Sequence, residues 1–357
     1  MQTNRHWGGA LLLGLIPVVC SFAAPAPAPE PPKLRATLEP KDSTIFYGWH
    51  GLAFSPDGKI LASAGKVSGD REATIKLWNV ADAKELTTLQ GPKEKNWIAA
   101  PVFSPDGKTL VSGDTYGLYL WDVAGDHTPT DTLNRFSCNL VFSPDGKTLA
   151  SVRAGVDIWD MEKKQLRATK LPNLSILPNG LIYTPEGKLL GAERSGDKSV
   201  PLYDVLEEKK IATLKTGPDD DTACVAFSPD GKLFVTGTYH QDTICLWDIT
   251  KGEPKARLKV EKQVCGCFAF NPKGTIMAAS LRPRADVKVG TIALYDVASG
   301  KELAVLKGSK GVPTYLVFSP DGRTLASCAA YESTIRLWSI PDVIKVEKSE
   351  SVPEGKK

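Results

Sequence analysis

An all-β ring is predicted: a seven-bladed β-propeller of four-stranded antiparallel blades, its last blade closed by the N-terminal strand. Two short signatures predict it, each occurring seven times along the 357 residues. So does a solitary strand-like segment that precedes the first repeat. A fixed period of this length is the mark of a repeat architecture, and each unit must bury its apolar faces against its neighbours.

The first signature is a turn. F-S-P-D-G-K stands at 54–59, 103–108, 142–147 and 227–232, and residues 318–323 differ only in the last position. Two degenerate copies complete the set, Y-T-P-E-G-K at 183–188 and F-N-P-K-G at 270–274. Phe54 and Phe318 lie 264 residues apart over six intervals, a mean of 44. Proline presets the first corner, Asp suits the next, and the glycine shared by all seven copies supplies a left-handed residue. Each copy therefore reads as a hairpin turn. The residues after it alternate large and small, as in Leu149-Ala150-Ser151, which fits a half-buried strand.

The second signature carries a large aromatic: Trp78, Trp121, Trp159, Tyr203, Trp247, Tyr295 and Trp338, each preceded by Leu or Ile. It predicts a third strand whose ring fills the gap between neighbouring sheets. A fourth strand follows in segments such as 85–89, 210–214 and 302–306. Four strands per repeat, arranged radially, leave few exposed edges.

Closure is legible at the ends. After Trp338, residues 341–347 make a poor fourth strand, whereas Lys33-Leu34-Arg35-Ala36-Thr37-Leu38 echoes 165–170. The N-terminal segment is therefore expected to complete the last blade. Ahead of it, an apolar run from Ala10 to Val19 and small residues at Ser21 and Ala23 read as a signal peptide over 1–23, cut after Ala23. An alanine-proline alternation over 24–32 then reads as an extended tether. The propeller is assigned to 33–341, and the charged tail over 342–357 has the composition of a disordered segment. These features give an exported protein, periplasmic, envelope-associated or extracellular, without a transmembrane span in the mature chain.

With both signatures in hand, the chain resembles the WD-repeat (Trp-Asp repeat) β-propeller family over residues 33–341, as an exported, bacterial-type member. The resemblance implies partner docking on the face that carries the loops entering each inner strand and those between second and third strands. It also implies a buried network anchored by a Gly-His pair between blades. Here those places read Gly91-Pro92, Gly217-Pro218 and Gly308-Ser309, so the network is expected to be absent or rebuilt.

Composition excludes several functions. The chain is 42% hydrophobic and 24% charged, and its formal charge of +3 comes from 44 basic and 41 acidic residues spread along it. No face is obviously built to neutralise phosphates, so nucleic acid is not an expected partner. Only His50, His127 and His240 remain after signal removal, and no hydrolase elbow, zincin helix or P-loop occurs. No catalytic residue, cofactor or metal is assigned, and the chain is read as non-enzymatic. Asp219-Asp220-Asp221 reads as a solvated acidic loop because the other spaced ligands of a calcium loop are missing. Six mature cysteines, Cys138, Cys224, Cys245, Cys265, Cys267 and Cys328, fall on different strands of the repeat and read as buried reduced thiols.

Function is placed in the loops. Trp97 and Phe136 precede inner strands of adjacent blades, and Tyr116, Arg153, Tyr239, His240, Arg282 and Tyr331 fall between second and third strands, together with Arg194 and Arg284. Tyr, Trp and Arg are the residue types enriched at interface hot spots. The reading is a monomeric interaction scaffold binding a protein or peptide on that rim. A propeller hydrolase or lactonase with a site at the channel mouth is the alternative, and an envelope secretion or transport component is a third reading.

Overall fold

The computed structural model describes residues 30–42, 44–45, 51–67, 73–90, 100–113, 117–133, 138–195, 198–216, 222–238, 242–284, 289–329, 332–342 and 344. The leader at 1–23 and most of the tether and tail lie outside them.

Each turn signature becomes a hairpin, and six of the seven close over the same span. In the first copy the Ser55 N–H donates to the Ile60 carbonyl at 2.8 Å. The Ser55 hydroxyl donates to Asp57 Oδ1 at 2.7 Å and accepts the Ile60 N–H at 2.9 Å, while Asp57 accepts the Lys59 N–H at 3.1 Å. Gly58 sits at φ 71°, and the glycines of the other six copies are left-handed too. Only a glycine takes that conformation at no steric cost.

Around these turns the strands assemble as the repeats require. Blade 3, for example, runs Cys138–Phe142, Thr148–Arg153, Gly155–Asp160 and Gln165–Lys170 from the axis outward. Blade 1 varies the plan: Thr44–Ile45 and Leu52–Phe54 both pair with the second strand Ile60–Val67. In blade 7 the sheet order is Lys33–Leu38, Ile335–Ser339, Thr324–Ala329, Pro313–Phe318, so the N-terminal strand takes the outer position. The expected closure is therefore present, and the inner strands contact one another in cyclic order around the axis.

Seven apolar clusters hold the ring, one at each junction between blades. The third-strand aromatics are the wedges: Trp78, Trp121, Trp159, Trp247, Tyr295 and Trp338 are all buried in these clusters. Each pairs across its sheet with a large apolar residue, as Trp78 with Leu61, Trp247 with Phe234 and Tyr295 with Met277.

The buried polar network is rebuilt. Its inner half survives in four blades, where the indole N–H donates to a second-strand hydroxyl: Trp78 to Ser63, Trp159 to Ser151, Trp247 to Thr236 and Trp338 to Ser327, at 2.8–3.0 Å. In place of the histidine half, blade 1 buries the Lys76 ammonium against Asp42 at 2.7 Å, Glu85 at 3.3 Å and the Thr88 hydroxyl at 3.1 Å. Blade 7 sets Arg336 against Glu332. A fully buried cation needs such partners, since leaving it unpaired costs far more than the pair returns.

Candidate interaction surfaces

The ring has two unlike faces. The seven turn signatures, each between a first and a second strand, lie on one. The connections from outer strand to next inner strand, and from second to third strand, form a rim on the other. Both ends of the described ring reach the turn face: Glu30 bridges to Ile344, and the Ile340 N–H donates to Arg323 O of the last turn at 2.8 Å. Ile344 is half-buried against the core between blades 6 and 7. The rim is thus turned away from both ends.

Of the predicted rim residues, Trp97, Tyr116, Phe136, Tyr239, His240 and Tyr331 lie outside the described residues, as do His50 and Asp219-Asp220-Asp221. Arg153 is placed on the rim, exposed, at the end of Thr148–Arg153 and paired with Gly155. Arg282 lies within the strand Ile276–Pro283, half-buried and paired with Val264, rather than in a projecting loop. The second strand of blade 6 continues that far because its inner neighbour begins at Gln263, which pairs with Pro283. Arg284 binds Asp242 at 2.8 Å and ties blade 6 to blade 5.

The rim's electrostatics follow from which charges are already engaged. Asp42 holds Lys76, Asp242 holds Arg284, Glu261 holds Lys259 and Glu332 holds Arg336. Glu193 accepts the Tyr203 hydroxyl at 2.9 Å, and burial together with that carboxylate pushes the tyrosine up to about 12. Arg153, Arg194, Lys262 and Lys310 are exposed on the same rim and make no ion pair among the described residues. Glu39 is exposed there too, so among the described rim residues the charge outside ion pairs is predominantly positive.

The central channel is apolar. A cavity of about 430 Å³ is lined by inner-strand residues of blades 3 to 7, Val141, Leu181, Ala226, Phe270 and Val317 among them. Among the described residues its polar side chains are Asn179, Tyr315 and the Cys267 thiol, and no described carboxylate or histidine lines it. Among the described residues no three His, Cys, Asp or Glu side chains are grouped to hold a metal ion. Cys224, Cys245, Cys265, Cys267 and Cys328 are free thiols.

The family profile described as "WD domain, G-beta repeat" matches residues 35–79, 83–122, 208–248 and 300–339. With seven blades, their turn and aromatic signatures and this match together, the chain belongs to the WD-repeat β-propeller family. It is 26% identical over 210 residues to the transcriptional corepressor LEUNIG_HOMOLOG of Arabidopsis thaliana, covering 56% of this chain and 24% of that one. It is also 26% identical over 223 residues to a WD repeat-containing protein WDS homolog of Arabidopsis thaliana, covering 58% of this chain and 39% of that one. The small ribosomal subunit protein RACK1z of Arabidopsis thaliana is 34% identical over 91 residues, 26% of this chain and 24% of that one. The chain thus spans well under two thirds of the length of these relatives. Propellers of this family act generally as scaffolds for protein interaction.

Proposed function

We propose that this chain is an exported, non-catalytic interaction scaffold that binds an acidic protein or peptide segment on the rim opposite its chain ends. The observation that carries the reading is the charge of the described rim: Asp42, Asp242, Glu261 and Glu332 are engaged, and Arg153, Arg194, Lys262 and Lys310 make no ion pair among the described residues. Exposed, unpaired cations steer an acidic partner and suppress basic ones. The corepressor named among the relatives is consistent with a scaffold, and the apolar channel offers little to a hydrolase. The leader over 1–23 and the tether over 24–32 support export, with the tether leaving the turn face and so presenting the rim outward.

The test is a crosslinking pull-down from the exported fraction with the native chain, a Trp97→Ala/Phe136→Ala/Tyr239→Ala variant and an Arg153→Glu/Arg194→Glu variant. A discrete partner recovered by the native chain and lost from both folded variants supports the rim. Equal recovery from all three overturns it. Absence of the chain from the exported fraction overturns export.

A further inference from the structure

Five of the seven blade junctions are sealed on the turn face by one repeated contact, turn glycine against turn proline, and a sixth by a turn glycine against a threonine. A Cβ built on these glycines would meet the neighbouring blade: Gly58 meets Pro320 at 3.6 Å, Gly107 meets Pro56 and Gly146 meets Pro105 at 3.4 Å, Gly274 meets Pro229 at 3.8 Å and Gly322 meets Pro272 at 3.5 Å. Gly231 crowds Thr184 at 2.6 Å. Gly187 of blade 4 has nothing within 4 Å. The seal is missing between blades 3 and 4.

Three local departures accompany that breach. First, the blade 4 turn closes one residue early, from Thr184 N–H to Lys188 O at 2.8 Å, where the other six close five residues on. Asp at the fourth position of the turn signature bridges the serine and the Lys N–H, whereas the longer Glu186 side chain meets the Thr184 hydroxyl and the Lys188 N–H turns to Thr184 Oγ1 at 3.3 Å. Second, the wedge position holds Tyr203, only half-buried. Third, Tyr203 pairs with Gly191 in place of a large apolar residue. Val205 and Ile176 take the place a Gly191 side chain would fill, and towards the turn face a cleft of about 610 Å³ opens between the two blades.

The cleft has the anatomy of a ligand site. Its volume falls in the range of small-molecule pockets. Ile158, Ala168 and Leu206 give it apolar wall, and Tyr183 at its base shares a hydrogen bond with Thr148 across the junction at 3.1 Å. At the mouth the charges differ in how far they are engaged. Asp145 is taken up by the Ser143 hydroxyl at 2.6 Å and the Lys147 N–H at 3.1 Å, and Lys170 by Glu208 at 2.9 Å. Lys147 and Arg167 line the cleft, are exposed and make no ion pair among the described residues.

We infer that the breach between blades 3 and 4 binds an apolar group that carries a carboxylate, with the apolar part on Ile158, Ala168 and Leu206 and the charge against Arg167 and Lys147. With Asp145 held by Ser143 and the Glu186 carboxylate by the Thr184 hydroxyl and beside Lys232, the charged donors left at the mouth are those of Lys147 and Arg167, which a carboxylate matches and a cation does not. The site lies on the face opposite the rim and does not rest on the rim's function.

The experiment titrates the full chain, carrying 13C-labelled tyrosine, and reads the Tyr183 ring by NMR. The probes are 2-naphthaleneacetate for a free acid and acetyl-Trp-Glu-amide for a peptide, against 2-naphthaleneacetamide and acetyl-Trp-Gln-amide. A saturable Tyr183 shift with either acid is expected, roughly tenfold weaker with its neutral analogue and in Lys147→Gln/Arg167→Gln, and lost in Ala168→Trp. Both variants alter exposed or half-buried outer positions, and a native tyrosine spectrum confirms their fold. Response to naphthaleneacetate alone assigns a small acid, and response to the dipeptide assigns a peptide segment. No Tyr183 shift at millimolar acid, equal response to acid and amide, or a shift that survives Ala168→Trp overturns the inference.

Discussion

Leu34 and Trp338 are antiparallel neighbours in one sheet, although they stand near opposite ends of the chain. Four strand positions on from Leu34, Leu38 is fully buried in the cluster between blades 7 and 1 and pairs with Ile335. The last blade and its junction with the first are therefore held by a strand that the chain makes first.

Leu38→Ala is expected to destabilise the ring by about 2–5 kcal/mol, the usual cost of a cavity at a fully buried leucine. Leu34→Ala, on the same strand but 48% exposed, serves as the control and should cost well under half of that. Denaturant unfolding measures both. Equal, small effects would mean that the strand contributes little to closure.

Ser63→Ala, Ser151→Ala and Ser327→Ala each remove the acceptor of a buried indole N–H. Each should lower stability by about 1–3 kcal/mol, because the donor is left unsatisfied in the core. The matching Thr130→Ala, whose hydroxyl donates to Leu120 O in a part-buried position, should fall at or below the bottom of that range. Thermal unfolding of the four variants under one buffer decides it.

Lys76 should respond asymmetrically. Glu85→Gln keeps an amide oxygen beside the buried ammonium but removes its carboxylate charge, leaving Asp42 as the ion-pair partner, and is expected to cost about 1–3 kcal/mol. Lys76→Met alone strands the buried Glu85 carboxylate and should cost about 3–5 kcal/mol, whereas Lys76→Met/Glu85→Leu replaces both buried partners and should be neutral or stabilising, as replacements of buried ion pairs by apolar side chains often are. A large loss from the double variant would show instead that the pair is a net source of stability.

The turn carboxylates should give the ring an acid-sensitive component. The Ser55, Ser104 and Ser143 hydroxyls, aided by the Lys N–H groups, hold Asp57, Asp106 and Asp145 below the ordinary carboxylate value. A carboxylate lowered in the folded state stabilises it above the unfolded pKa, near 4, and that contribution disappears as pH falls through the folded value. The melting temperature should therefore drop below about pH 4, and less steeply in a Ser55→Ala/Ser104→Ala/Ser143→Ala variant. Parallel profiles for the two proteins would refute this origin.

Cys245, Cys265, Cys267 and Cys328 should resist alkylation in the folded chain. They are buried free thiols, and burial pushes Cys265 and Cys328 up to about 12, far from the thiolate that iodoacetamide needs. Intact mass after native and denaturing labelling is the measurement. Rapid native labelling of these four would contradict their burial.

Much of the scaffold could be read from the chain because each signature encodes its own geometry: proline and glycine set the turn, the wedge aromatic sets the junction, and the echo of 165–170 in 33–38 set the closure. The breach was hidden in plain residues. Glu186 and Gly191 look like mild degeneracy in a repeat, and their effect depends on a hydrogen-bond bridge one methylene too long and on which residue faces Tyr203. Lys76 was equally opaque, since a lysine in a strand reads as solvent-facing until its partners Asp42 and Glu85 are brought to it. On the rim, Arg153 fell where loop counting put it, whereas Arg282 was drawn into a strand that pairs farther than its equivalents.

The bridge between Glu30 and Ile344 has an architectural consequence. Entry and exit lie side by side on one face, so the ring behaves as an insertable cassette, able to be spliced into an exposed loop of another protein without prising that loop's ends apart. The same adjacency lets a short linker join the two ends and a new opening be cut elsewhere, which makes circular permutants of this chain a practical means of placing the rim at any chosen angle to a carrier.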